Sequence, residues 1–239
     1  MMNNFRETFF KYSQLQQTQE KYKKAKEIVK KTSNKYNKFY VAYSGGKDSL
    51  CMTHLVLQRF PDTMILHWDF GKYYIPDNIR EEIIANLKKI GGKNIRIETS
   101  EEYDKLKRQA INVLGKEMIE KLLPQLRSEG YDVSFIGLRK EESRKRKRRI
   151  EAQRNCSAIK EIYPLQDWSW LDVWGYIVSN SLPYLSHYDK YAPVVGWDKA
   201  RFTTLFDPEF DKYGCSNIDG ILNWSFKHYE YERRKIIAN

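Results

Sequence analysis

Six consecutive residues, Ser44-Gly45-Gly46-Lys47-Asp48-Ser49, bring together the groups that grip a phosphate. Two glycines let backbone N–H groups approach phosphate oxygens closely. Ser44 and Ser49 add hydroxyl donors, and Lys47 adds a cation. The apolar stretch at 50–60 predicts a helix beginning near Lys47, whose positive N-terminal end points at the same spot. Asp48 is the odd member, because a carboxylate repels phosphate. It makes sense as a cap for that helix or as a ligand for a Mg²⁺ that accompanies the phosphates. The spacing is not that of a Walker A loop, since GxxxxGK[ST] is absent.

The other chemistry-bearing residues are scattered. Cys51 falls on the apolar helix after the loop and reads as core, Cys156 follows a basic run, and Cys215 lies in KYGCSNIDG. A nucleophilic thiol needs cations or a helix N-terminus to lower its pKa, and Cys215 has both Lys212 and Asp211 close in sequence. Three widely spaced cysteines point to a reducing compartment, and without a CxxC pair they argue against a zinc ribbon. One chain with three thiols cannot build a four-thiolate iron–sulfur site, so no iron–sulfur cluster is expected. His54, His67, His187 and His228 form no metal spacing.

The elements that must position these groups alternate. Residues 5–36 carry Phe5, Phe9, Tyr12, Leu15, Tyr22, Ala25 and Val29 at helical spacing and predict one long helix. Strand patterns follow at 39–43, 63–70, 94–100 and 132–138, separated by helical patterns at 50–60, 77–90 and 102–128. Strands alternating with helices predict an α/β fold around a mostly parallel sheet, with ligands beyond the C-terminal strand ends. Residues 162–177 read as an extended entry and a helix, capped by Asp167 or Ser169, with Trp168, Trp170 and Trp174 as core. Residues 182–220 read as loop and 221–237 as a last helix.

The composition suits a soluble chain with a substantial core: 41% hydrophobic and 31% charged over 239 residues. No run of 18 apolar residues occurs, and the polar start lacks the apolar stretch of a secretory signal, so no membrane partner and a cytoplasmic location are expected. The net charge of +11 is uneven, with +7 in residues 1–40, +7 in residues 138–160 and −3 elsewhere. These zones read either as solvated helix faces or as contacts for a polyanion, including nucleic acid.

FYVAYSGGKDS (39–49) resembles the PP-loop of the N-type ATP pyrophosphatases and the adenine nucleotide alpha hydrolase superfamily. Later landmarks resemble the PAPS reductase-like branch: HWDFG (67–71), FIGLRKEESRKRKRR (135–149), YPLQDWSWLDVWGYI (163–177) and LPYLSHYDKYAPVVG (182–196). The segment around Cys215 resembles a G-C-x-x-C element with Ile218 in place of the second cysteine, whereas the E-C-G-x-H segment of single-cysteine PAPS reductases is missing. The resemblance implies a twisted sheet flanked by helices, with an N-terminal helical segment (1–38), a nucleotide-binding core (39–160) and a C-terminal extension over the site (161–239).

It further implies that an adenine nucleotide is held by Ser44, Gly45, Gly46, Lys47, Asp48, Ser49, Asp69 and Gly137, and its anionic end by Arg139, Glu142, Ser143 and Arg146. Asp69, at a strand end, would accept from ribose hydroxyls or adenine N6, or else cap a turn. Arg139 offers a bidentate fork to phosphate or sulfate oxygens. Lys47, Arg139 and Cys215 are the expected catalytic groups. Three functions follow: reduction of adenylylated sulfate with a thiol donor such as thioredoxin; ATP pyrophosphatase or adenylyltransferase chemistry with Mg²⁺ at Asp48; or a non-catalytic nucleotide- or nucleic-acid-binding module. A homo-oligomer is compatible with each.

Overall fold

The computed structural model describes residues 3–72, 75–106, 117–153 and 158–202. Two helices, α1 (Asn3–Ser13) and α2 (Gln16–Lys35), precede β1 (Phe39–Ala42). Then come α3 (Lys47–Leu57), β2 (Met64–Asp69), α4 (Asp77–Lys89), β3 (Ile95–Thr99) and α5 (Glu101–Leu106). A π-helical turn, Met118–Leu122, leads into α6 (Leu123–Ser128) and β4 (Val133–Ile136). The chain continues through the 3-10 turn Lys140–Glu142, α7 (Arg144–Glu151), β5 (Lys160–Ile162), α8 (Trp170–Ser179) and α9 (His187–Val195).

The five strands form one parallel sheet in the order β3-β2-β1-β4-β5. From β1 the chain moves outward to β2 and β3, then returns to place β4 on the other side of β1. The strand order therefore reverses between β1 and β4, and at such a switch point the loops leaving the two strands part to open a crevice. The segment Ser44 to Ser49 follows β1, and Gly137 to Arg139 leave β4. β2 is buried along its whole length, as a central strand covered on both faces must be.

The predicted helix at 5–36 is two helices. They break at Gln14 and Leu15, whose N–H groups bond back three residues to Lys11 and Tyr12. The break lets two apolar faces point differently. Phe9 of α1 stacks on Trp174 of α8 with ring centres 6.1 Å apart, while Tyr22 of α2 bonds the Asp172 carbonyl at 2.8 Å. Ser169 caps α8 by accepting from the Asp172 N–H at 3.2 Å; Asp167 instead holds Lys24 and Lys140, each at 2.7 Å. Trp168 and Trp174 are core residues, as expected. The stretch from 182 was expected to be loop but contains α9, which holds Pro193 inside its last turn and ends at Gly196, φ +96°. The predicted helix at 221–237 lies outside the described residues. Among the described residues no helix is long and apolar enough to cross a membrane.

Candidate functional site

The loop between β1 and α3 is built by its own side chains. The Ser49 hydroxyl accepts from the Ser44 N–H at 3.2 Å and donates to the Gly46 carbonyl at 2.9 Å, closing the turn on itself. The Ser44 and Ser49 hydroxyls lie 3.1 Å apart. Gly45 sits at φ +87°, a conformation that favours glycine, and a Cβ there would lie 2.7 Å from Ile83 of α4. Gly46, the N-cap of α3, is less constrained. Its backbone is extended, and a Cβ would meet nothing nearer than 3.6 Å.

Three charges are packed against the start of α3. Lys47 is only 3% exposed and Arg139 only 4%. The Asp48 carboxylate lies between them, accepting from Arg139 Nε on one oxygen and standing 3.2 Å from the Lys47 ammonium on the other. Burial pushes the Asp48 carboxyl upward, but the two cations outweigh it and hold it well below the usual carboxylate range. Burial lowers Lys47, with Asp48 opposing; Arg139 is raised because Asp48 outweighs its burial. Arg139 also donates to Glu141 at 2.8 Å. Arg139 thus braces the loop as an ion-pair partner of Asp48. Each Asp48 oxygen faces a cation, and the N-cap of α3 is Gly46, so Asp48 does not cap the helix.

Gly137 explains how β4 comes so near. A Cβ at this position would lie 2.9 Å from the Asp48 carbonyl carbon, the Asp48 oxygen and the Ser49 nitrogen. The close approach expected of this glycine is therefore made to the backbone of the phosphate loop. Asp69 departs from one of its two expected roles. Its oxygens accept from Arg80 of α4 and from the Gly71 N–H at 2.8 Å, so it caps a turn and lines neither cleft described below. Arg80 and the Gly71 amide together outweigh burial and lower its pKa. Glu142 accepts from the Arg139 N–H at 3.1 Å and pairs with Arg146, while Ser143 caps α7 through the Arg146 N–H at 3.2 Å.

Two clefts flank this assembly. The first, about 350 Å³, is apolar on one side, with Ala42, Leu66, Trp68, Phe70, Met118 and Ile136. On its other side are Ser44, Gly46, Ser49, Arg146 and Arg201. The second, about 300 Å³, is polar and holds Lys47, Arg139, Lys199 and Trp170. Glu142 and Arg201 line both, so the clefts meet there. The loop's backbone and hydroxyls thus face one cleft while its cation faces the other.

Sequence reasoning missed three contributors. Tyr188 of α9 lines the first cleft, and its phenol oxygen accepts from the Lys47 N–H at 3.2 Å. Arg80 orients Asp69, and Arg201 stands where the clefts meet. The only available signal was the Y-D element of the 182–196 landmark, which contains Tyr188. His187 is 1% exposed, and burial pushes its pKa down to about 3. His67 is a buried strand residue whose ring bonds the Tyr43 carbonyl at 2.9 Å. Cys51 is buried on α3, and burial pushes its thiol up, the opposite of activation. Cys156 and Cys215 lie outside the described residues.

Part of the basic zones' charge is engaged within the chain. Lys21 pairs with Asp172 at 2.6 Å, Lys24 and Lys140 with Asp167, and Arg149 with Glu161 at 2.5 Å. Among the described residues no group of three or more His, Cys, Asp or Glu could hold a metal ion.

Residues 38–218 match the profile of the phosphoadenosine phosphosulfate reductase domain. An adenosine 5'-phosphosulfate reductase of Bacillus thuringiensis (strain Al Hakam) is 30% identical over 176 residues, which cover 66% of this chain and 70% of the relative. Uncharacterized protein MJ0066 of Methanocaldococcus jannaschii is 30% identical over 179 residues, and there the match covers 68% of this chain but only 36% of the relative. The crystal structure of phosphoadenylyl-sulfate (PAPS) reductase from Candida auris, a phosphate complex, superposes with a TM-score of 0.51 at 18% identity, covering 70% of this chain and 84% of that one, and so shows the shared fold.

Proposed function

The chain belongs to the phosphoadenosine phosphosulfate reductase domain family, and we propose that it binds an adenylylated sulfate, APS or PAPS, in the first cleft and reduces it by thiol chemistry. The observation that carries this reading is the cleft itself. At the point where the sheet order reverses, a largely apolar cleft of about 350 Å³ is lined also by Ser44, Gly46 and Ser49. Adenine occupies the apolar side beside Leu66, Trp68 and Phe70. The phosphates meet the Ser44 and Ser49 hydroxyls and the N-terminal end of α3, with Arg146 and Arg201 at the rim.

In this reading the Cys215 thiolate attacks the sulfonate sulfur. The S–O bond to the phosphate breaks, the nucleotide leaves with both electrons of that bond, and an S-sulfonated cysteine remains. One thiol of a thioredoxin-class dithiol donor then attacks the cysteine sulfur, releasing sulfite and forming a mixed disulfide, and the donor's second thiol attacks its own partner sulfur, freeing the cysteine and leaving the donor as a disulfide. Cys51 is no substitute nucleophile, because it is buried and its thiol is held protonated. The pyrophosphatase reading finds less support, since both Asp48 oxygens are held by Arg139 and Lys47. The test is sulfite release from APS and from PAPS with a dithiol donor. Cys215→Ser should abolish release while nucleotide binding persists. Unchanged release by that variant would sink the cysteine's part, and no release from either substrate by the parent would sink the reductase reading.

A further inference from the structure

Helix α3 begins at Lys47, and its N-cap, Gly46, has no side chain with which to cap it. The first N–H groups of a helix lack intrahelical partners. A serine, threonine or aspartate at the N-cap ordinarily accepts from the second or third of them, which here belong to Asp48 and Ser49. Those are the donors that a phosphate at this helix end would need. A local cap would therefore compete with the ligand.

The cap comes instead from 141 residues away. Tyr188 Oη accepts from the first N–H, that of Lys47, at 3.2 Å, and leaves the next two untouched. The tyrosine ring stands 5.9 Å from the Lys47 ammonium. The tyrosine lines the first cleft together with Arg201 and Phe202. The tyrosine is itself fixed. Its ring packs edge-on against Trp174 at 5.3 Å, and α9 is anchored by Ser186, whose N–H and hydroxyl donate to Glu82 of α4 at 2.7 and 2.9 Å. Tyr184 just before α9 accepts from Arg6 of α1 at 3.1 Å and donates to Asp189 at 2.8 Å.

Resting on the nucleotide reading above, we infer that Tyr188 is a positioning residue: its phenol caps α3 at Lys47 from outside the loop, so that the Asp48 and Ser49 N–H groups stay available to the ligand's phosphate. Steric room does not require a glycine at 46; the reason is that a side chain there with an acceptor oxygen would occupy the ligand's donors.

The experiment is calorimetric binding of adenosine, AMP and adenosine 3',5'-bisphosphate to the full chain. A purely structural role would weaken all three together, whereas the capping role separates phosphate from base. Tyr188→Phe keeps the ring and loses the oxygen. It should weaken AMP and the bisphosphate about fivefold, the size of one lost neutral hydrogen bond, and leave adenosine within about twofold. Equal weakening of all three, or no weakening, overturns the inference. A parent protein that binds none of the three overturns the site reading itself. Gly46→Ser supplies a second readout should Tyr188→Phe fold poorly, since a Cβ at Gly46 has 3.6 Å of clearance. It should keep thermal stability, weaken AMP about tenfold by taking one of the ligand's donors, and spare adenosine. AMP binding equal to the parent's in that variant also overturns the inference.

Discussion

Gly137→Ala tests whether the phosphate loop is held in place by contact between two backbones. The built Cβ lies 2.9 Å from three backbone atoms of Asp48 and Ser49, nearer than real Cβ atoms come. Restoring ordinary contact requires the loop and the end of β4 to part by roughly half an ångström, and neither is the end of a flexible side chain. Overpacking of this kind costs about 1–3 kcal/mol. For a domain of this size each kcal/mol lowers Tm by about 2–4 °C. The same half ångström stretches the donors that face the ligand. Losing one charge-assisted hydrogen bond, worth about 1.5–3 kcal/mol, weakens nucleotide binding roughly 10- to 100-fold. Gly46→Ala is the matched control: its backbone is extended, and its Cβ meets atoms only at 3.6–3.7 Å. Thermal melts and AMP titrations of both variants give the answer. The reasoning fails if Gly137→Ala melts and binds like the parent, or if Gly46→Ala is the more damaging of the two.

Two further outcomes follow from the buried charges. Arg139→Met removes the main partner of Asp48 and should cost about 3–5 kcal/mol in urea unfolding, because it leaves a carboxylate at a buried site with only Lys47 beside it; a loss below about 1 kcal/mol would show that the pair is dispensable. His187 is held neutral down to about pH 3 in the folded chain, against an ordinary value of 6.5. Between those values the unfolded chain binds a proton that the folded chain refuses, so stability rises with pH and is lost as pH falls from 6.5 toward 3. The loss reaches about 4–5 kcal/mol at most. Replacing His187 with Leu should flatten that slope in unfolding midpoints measured from pH 7 to 4, and an unchanged slope would place the acid sensitivity elsewhere.

What the sequence made legible was local. A strand, a glycine-bearing turn and a helix within 22 residues announce a phosphate loop, since short-range spacing decides turn chemistry and helix start together. The four strands at 39–43, 63–70, 94–100 and 132–138 were legible for the same reason, the first, second and fourth as largely apolar runs and the third as the alternation IRIET. The three-residue β5 was too short for any period to reveal. The break at Gln14 and Leu15 was illegible because the apolar spacing continues through it; only the positions of Trp174 and Asp172, more than 150 residues onward, call for two faces.

The site shows the same division more sharply. Gly137, Arg139 and Asp69 were all picked out, yet their partners could not be read from residue type. A glycine at a strand end fits close approach to a ligand or to another backbone equally well, and an arginine near a phosphate loop fits an anionic substrate or an internal carboxylate. The deciding facts are contacts across the chain: Gly137 against Asp48 and Ser49, Arg139 against Asp48, and Asp69 against Arg80. Asp48 is the residue whose meaning changes most. A carboxylate in a phosphate loop looks like a metal ligand as long as the loop is considered alone. With Arg139 and Lys47 closed on its two oxygens, it is the anion that allows two buried cations to sit side by side at the start of α3. Asp48 therefore offsets part of that positive charge within the chain, and on the proposed reading the ligand's phosphate meets the backbone N–H groups, the two serine hydroxyls and the arginines of the first cleft.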